Sequence, residues 1–110
     1  MENYNKVEKE DWATYYYLNG LLHRTNGPAV EYVNGEKRWY NNGLYHRIDG
    51  PAVEYTNGYE FWYQNGKRHR IDGPAVKWND GDEEWWIEGK QIDCNSQEEF
   101  ERYLKLRLFW

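Results

Sequence analysis

The sequence predicts a mainly β protein: a single-layer antiparallel β-ribbon of 23-residue hairpin repeats with a C-terminal α-helical cap. Three observations carry that expectation. All ten glycines fall into three series spaced 23 residues apart: Gly20, Gly43, Gly66 and Gly89; Gly27, Gly50 and Gly73; Gly35, Gly58 and Gly81. Asn34-Gly35, Asn57-Gly58 and Asp80-Gly81 are tight-turn signals between short aromatic and β-branched runs, because Asn, Asp and Gly tolerate positive φ. Ser96-Gln97-Glu98-Glu99 has the form of a capping box and opens a stretch with helical spacing.

Taken in order, residues 1–11 are polar and read as a frayed N-terminal segment, in which Tyr4 and Val7 allow at most a short helix. Trp12 to Tyr15 opens the first strand of a repeat region spanning 12–92. Its copies are YYLNGLLHRTNGPAVEYVNGEKR at 16–38, WYNNGLYHRIDGPAVEYTNGYEF at 39–61 and WYQNGKRHRIDGPAVKWNDGDEE at 62–84, with a partial copy at 85–92. Such a unit is too short for a helix pair, and segments 51–55 and 59–63 read as strands. A further strand within 41–50 is set aside, because an odd number per unit would reverse alternate repeats. Two strands and one longer loop per repeat give about seven strands at ~4.8 Å, a ribbon roughly 30–35 Å across. The Asn-Gly turns then line one edge and the His-Arg-x-Asp-Gly loops the other. Residues 96–110 form the cap, with a helix over about 97–108. Phe100, Tyr103, Leu104 and Leu108 recur at helical spacing, and acidic residues precede basic ones as the helix dipole favours. The apolar face is expected to close the last repeat; the competing expectation leaves Phe109 and Trp110 exposed for a partner.

Composition narrows the function. The net charge is 14 − 19 = −5, which argues against a protein that coats nucleic acid through phosphate contacts. No apolar run approaches the ~18 residues of a membrane span, and the N-terminus lacks the pattern of a signal peptide. Cys94 is the only cysteine, so a reducing, cytoplasmic setting is expected. Aromatic residues make up 19%, with 11 Tyr and 7 Trp; these side chains suit half-wet surfaces with a packed ring and a hydrated tip.

The pattern N-G-x-x-H, with an aromatic before it and a second N-G after, resembles the MORN repeat. The matching residues are Tyr17 to Gly20 with His23, Tyr40 to Gly43 with His46, and Tyr63 to Gly66 with His69, over about residues 16–92. The resemblance implies a single-layer antiparallel ribbon. The chain departs from the family after the histidine, where His-Arg-x-[Asp/Asn]-Gly-Pro-Ala replaces His-Gly-x-Gly. Similar variants occur in short phage, giant-virus and bacterial proteins. A small, acidic, repeat-built chain is expected to dock onto another protein. The distribution of similar repeats makes an inhibitor of a host or defence protein, acting in the host cytoplasm, the concrete form of that expectation.

No P-loop, dinucleotide fingerprint, Cys/His metal spacing or nucleophile motif is present, so no catalytic residue, metal ligand or cofactor is expected. Histidines 23, 46 and 69 recur on successive repeats, roughly 10 Å apart, too far to share a metal that needs ligands at ~2 Å. His23, His46 and His69 therefore read as architecture, as do Gly50 and Gly73. Arg24, Arg47 and Arg70 have two readings. Arg47 staples its loop through Asp49 or reaches Asp72 in the next loop, or all three arginines form an edge of guanidiniums for an acidic or phosphorylated partner. Tyr40, Trp62, Tyr63 and Trp85 are the aromatic candidates for a binding face. Cys94 reads as an incidental thiol whose pKa a helix start would lower. The partner expected is another protein. The alternatives are an anionic small molecule sequestered on the arginine edge, and self-association, as a homodimer or scaffold, through an open sheet edge. A lipid-binding role is disfavoured, since no net basic face is visible.

Overall fold

The computed structural model describes residues 3–107; the expected helix end at Leu108 and the contacts of Phe109 and Trp110 lie outside them. The architecture is mainly β, an antiparallel ribbon with a C-terminal helix and no closed barrel. The chain opens with β1 (Lys6–Lys9), β2 (Ala13–Leu18) and β3 (Leu21–Leu22). Strands β1 and β2 pair as the first hairpin of the main ribbon; β4 (Val30–Tyr32) with β5 (Lys37–Arg38) makes another, and β6 (Tyr40–Asn41) with β7 (Leu44–Tyr45) a smaller one outside it. The next repeat has β8 (Val53–Glu54), β9 (Glu60–Phe61), β10 (Tyr63–Gln64) and β11 (Lys67–Arg68). Then come β12 (Val76–Lys77), β13 (Glu83–Ile87), β14 (Lys90–Ile92) and α1 (Gln97–Arg107).

The main sheet runs β1-β2-β4-β5-β8-β9-β12-β13-β14, with β3 paired to β2. Two expectations are corrected here. The loop within each repeat holds a hairpin of its own, so a repeat has four short strands rather than two. An even number keeps successive repeats in one orientation, and four satisfies that condition as well as two. The small hairpins β6-β7 and β10-β11 are two-stranded sheets of their own, and the main sheet exceeds the seven strands expected through β1, β3 and β14, in a body of 46 × 32 × 20 Å. The second correction is at the N-terminus. Lys6–Lys9 is neither frayed nor helical but pairs with β2, Lys6 opposite Tyr17 and Lys9 opposite Thr14. The outer side of β2 offers unpaired amides and carbonyls, which a short polar segment satisfies.

Two kinds of turn build the hairpins. In the main ribbon, Gly35, Gly58 and Gly81 have positive φ, and the preceding Asx side chains accept from the amides of Glu36, Tyr59 and Asp82 at 3.0–3.2 Å. In the small hairpins both turn residues have positive φ: Asn42 (49°) with Gly43 (82°), Asn65 with Gly66, and Glu88 with Gly89. That is the conformation of a type I′ turn, whose twist matches paired strands.

Residues opposite one another across a ladder share a face. One face carries Val30, Arg38, Val53, Phe61, Val76 and Glu84 in consecutive partnership. The three valines are buried, and on the same face Tyr55, Tyr59, Phe61 and Trp78 meet edge-to-face with centroids 5.2–6.0 Å apart. Arg38 lies over Tyr32 and Tyr55, and Arg68 over Trp86. The other face carries Glu31, Lys37, Glu54, Glu60, Lys77 and Glu83, a mostly alternating charge ladder that keeps this side wet. The helix completes the far end. Ser96 Oγ accepts from the Glu99 amide at 3.1 Å, and Phe100 seals a cluster of Trp85, Ile87 and Ile92 with Tyr103 and Leu104 beside it.

Candidate functional site

The His-Arg loops are built by two recurring contacts. Nδ1 of His23 accepts from the amide of Asn42 (2.9 Å), Nδ1 of His46 from Asn65 (3.0 Å), and Nδ1 of His69 from Glu88 (3.0 Å). Each histidine therefore holds the strained I′ turn of the following repeat, 19 residues on. The hairpins are joined further by backbone bonds of the same period, from Gly43 to Leu22, Gly66 to Tyr45 and Gly89 to Arg68. With Nδ1 occupied as an acceptor, the neutral ring carries its proton on Nε2. Among the described residues no group of three His, Cys, Asp or Glu side chains is placed to hold a metal ion.

The arginines fold back onto their own repeats. The guanidinium carbon of Arg24 lies 4.0 Å from the Tyr16 ring centroid, that of Arg47 is 3.9 Å from Trp39, and that of Arg70 is 3.7 Å from Trp62. Each Nη1 also donates to the carbonyl of the loop proline, Pro28, Pro51 or Pro74, at 3.1–3.3 Å. Carboxylates complete the shell: Glu31 on Arg24, Asp49 and Glu54 on Arg47, and Asp72 on Arg70. Lys77 occupies the place that Glu31 and Glu54 hold in the other two repeats. The need for glycine at 50 and 73 is explained by the same stack, since a Cβ there would come within 2.5 Å of the guanidinium carbon. The three side chains are only 17–20% exposed, so the edge presents covered guanidiniums and not an open row of charge.

What the loops do present is apolar. Ile48 is 66% exposed and Ile71 59%, each between its stacked arginine and an exposed aspartate. An open cleft of about 370 Å³ separates the first two loops, lined by Arg24, Thr25, Trp39, His46, Arg47 and Ile48 among others. In the sequence these isoleucines sit between an arginine and an aspartate, Arg47 and Asp49 or Arg70 and Asp72, whose charges dominate the pattern. The available signal was an apolar residue at a turn position that ordinarily takes a polar one.

The aromatic candidates divide. Tyr40 and Tyr63 are half-buried in a row with Tyr45, at centroid distances of 4.7 and 5.0 Å. Burial and the adjoining Tyr45 hydroxyl push the Tyr40 phenol well above its ordinary value. Trp62 is half-buried on the opposite face as the platform for Arg70. Trp85 is not an exposed binding residue: it is 4% exposed, covered by Phe100, with Nε1 donating to Gln97 Oε1 at 2.7 Å. It holds the platform position of Trp39 and Trp62, but in the last repeat the helix covers it in place of an arginine.

Cys94 is corrected in the direction of its shift. Burial, then the Glu99 carboxylate, raise the thiol pKa, and the Ser96 backbone bond does not offset them. A raised pKa means less thiolate at a given pH. Iodoacetamide at pH 8 is therefore expected to alkylate Cys94 more slowly in the folded chain than in denaturant; equal rates would contradict this. Among the described residues no helix is long and apolar enough to cross a membrane. Comparison with protein-family models, with curated proteins and with solved structures finds no match.

Proposed function

We propose that the chain is a non-enzymatic protein-binding module that engages its partner through the His-Arg loop edge. The observation that carries this reading is the pair of exposed isoleucines, Ile48 and Ile71, on loops fixed by the histidine and arginine contacts. Rigid apolar tips one repeat apart, about 10 Å, lose little conformational freedom on docking. The aromatic and guanidinium surface behind them is of the kind that dominates binding energy. Inhibition of a host or defence protein in the cytoplasm is the concrete form of this role. Sequestration of a phosphorylated ligand is the less favoured reading, because the guanidiniums already serve their own loops.

The test is affinity capture from lysate of the cell in which the protein works, with light scattering and native mass spectrometry on what is retained. The wild-type chain is expected to hold one protein in simple stoichiometry. An Ile48→Asp/Ile71→Asp variant is expected to bind it about 100-fold more weakly, the loss of two contacts of hot-spot size, with its melting temperature unchanged. Undiminished capture by that variant would remove the loop edge from the interface. A retained small-molecule mass would favour sequestration.

A further inference from the structure

We infer that β1 is a self-pairing edge: two copies join by antiparallel β1–β1 pairing centred on Val7, extending two ribbons into one sheet. This inference is independent of the loop edge. It starts from the hydrogen-bond phase of β1. Strand β1 ends the sheet, with no strand on its outer side among the described residues. The Glu10 amide donates to the Ala13 carbonyl at 2.8 Å. Antiparallel pairs alternate between bonded and non-bonded, so Glu8 and Lys6 also bond inward, to Tyr15 and Tyr17. The Tyr16 amide donates to Ala29, away from β1, which agrees with that phase. Val7, opposite Tyr16, and Lys9, opposite Thr14, therefore turn their amides and carbonyls outward.

An incoming strand must bond to Val7 and Lys9, and for an identical strand only a few alignments meet that condition. Setting Val7 opposite Lys9 of the second copy puts Glu8 against Glu8. Setting Lys9 opposite Lys9 puts the two ammonium groups together. Setting Val7 opposite Asn5 puts Lys6 against Lys6. The remaining alignment sets Val7 opposite Val7 on the twofold axis. It places Lys6 opposite Glu8 on both sides, in non-bonded pairs whose side chains lie closest.

The side chains are already arranged for it. Lys6 lies over the Tyr17 ring, Nζ 5.7 Å from the centroid, and the Tyr17 hydroxyl donates to Glu8 Oε2 at 3.3 Å. Both charges are thereby held on one face of the edge. Val7, 41% exposed, stands on the other. Charged residues on an edge strand ordinarily repel foreign strands; here they oppose most alignments of a second copy and favour one.

Sedimentation equilibrium and light scattering on the full chain test this. The wild-type mass is expected to rise with concentration from 13.5 kDa toward twice that value. Lys6→Glu and Glu8→Lys each set like charges opposite one another and are expected to weaken the dimer about ten-fold or more. The double swap Lys6→Glu/Glu8→Lys is expected to restore it. Val7→Pro removes an outward donor and no internal bond, and is expected to abolish it while circular dichroism stays unchanged. Ile48→Asp/Ile71→Asp should leave it intact. A wild-type mass of one chain up to about 1 mM, the weak end of specific association, would overturn the inference. A dimer indifferent to the charge swaps would overturn it equally.

Discussion

Replacing Phe100 by alanine is expected to lower stability by about 3–5 kcal/mol, the range for emptying a buried aromatic site. Phe100 is 0% exposed and is the one helix residue buried completely. It closes on Trp85, Ile87 and Ile92, residues that in a ribbon without a cap would lie open at the end of the last repeat. A repeat array draws stability from neighbour contacts, so its terminal unit needs an atypical cover. Removing the ring detaches that cover, and the Trp85–Gln97 bond goes with it. Urea unfolding followed by tryptophan fluorescence measures the change. A loss under about 1 kcal/mol, the size of an ordinary surface change, would show that the ribbon holds its last repeat without the helix.

Val76→Asp is expected to cost about 4–5 kcal/mol, against the ~5–15 kcal/mol that small domains possess. Val76 is 0% exposed in the third repeat, with Phe61 on one side and Glu84 on the other. A carboxylate there would be buried beside the Phe61 ring and directly opposite another carboxylate. Ile71→Asp is the matched control, the same kind of change five residues earlier at an exposed loop tip. It is expected to stay within about 0.5 kcal/mol of wild type. Thermal melts of the two variants side by side separate core from edge, and a comparable drop in both would place Ile71 in the structure and not on a free surface.

The features legible in the sequence are those that repetition and local chemistry determine. The glycine series marks the repeat, the Asx-Gly pairs mark the main turns, and Ser96 with Glu99 marks the helix start where it is found. The small hairpins were not legible. Their strands are two residues long, as at Tyr40–Asn41 and Leu44–Tyr45, too short for alternation to be read. Their evidence lay in Asn42-Gly43 and Asn65-Gly66, turn pairs as good as those accepted in the main ribbon. Strand β1 escaped notice because Lys6, Glu8 and Lys9 pattern as a solvated tail, and only pairing with β2 makes them a strand. Trp85 looked equivalent to Trp39 and Trp62 because it is equivalent by position; what differs is the element on top of it. The arginines show the limit most clearly. The Asp two residues later was readable as a partner, but stacking on a ring eight residues earlier in the chain is a tertiary contact that the spacing alone does not disclose.

The most direct test of the binding edge is hydrogen–deuterium exchange on the captured complex against the free chain. The expected result is protection concentrated in residues 46–50 and 69–73, the loops that carry Ile48 and Ile71, with the aromatic face of Tyr55, Tyr59 and Trp78 unchanged. Protection on that aromatic face, with the two loops exchanging as they do in the free chain, would contradict it.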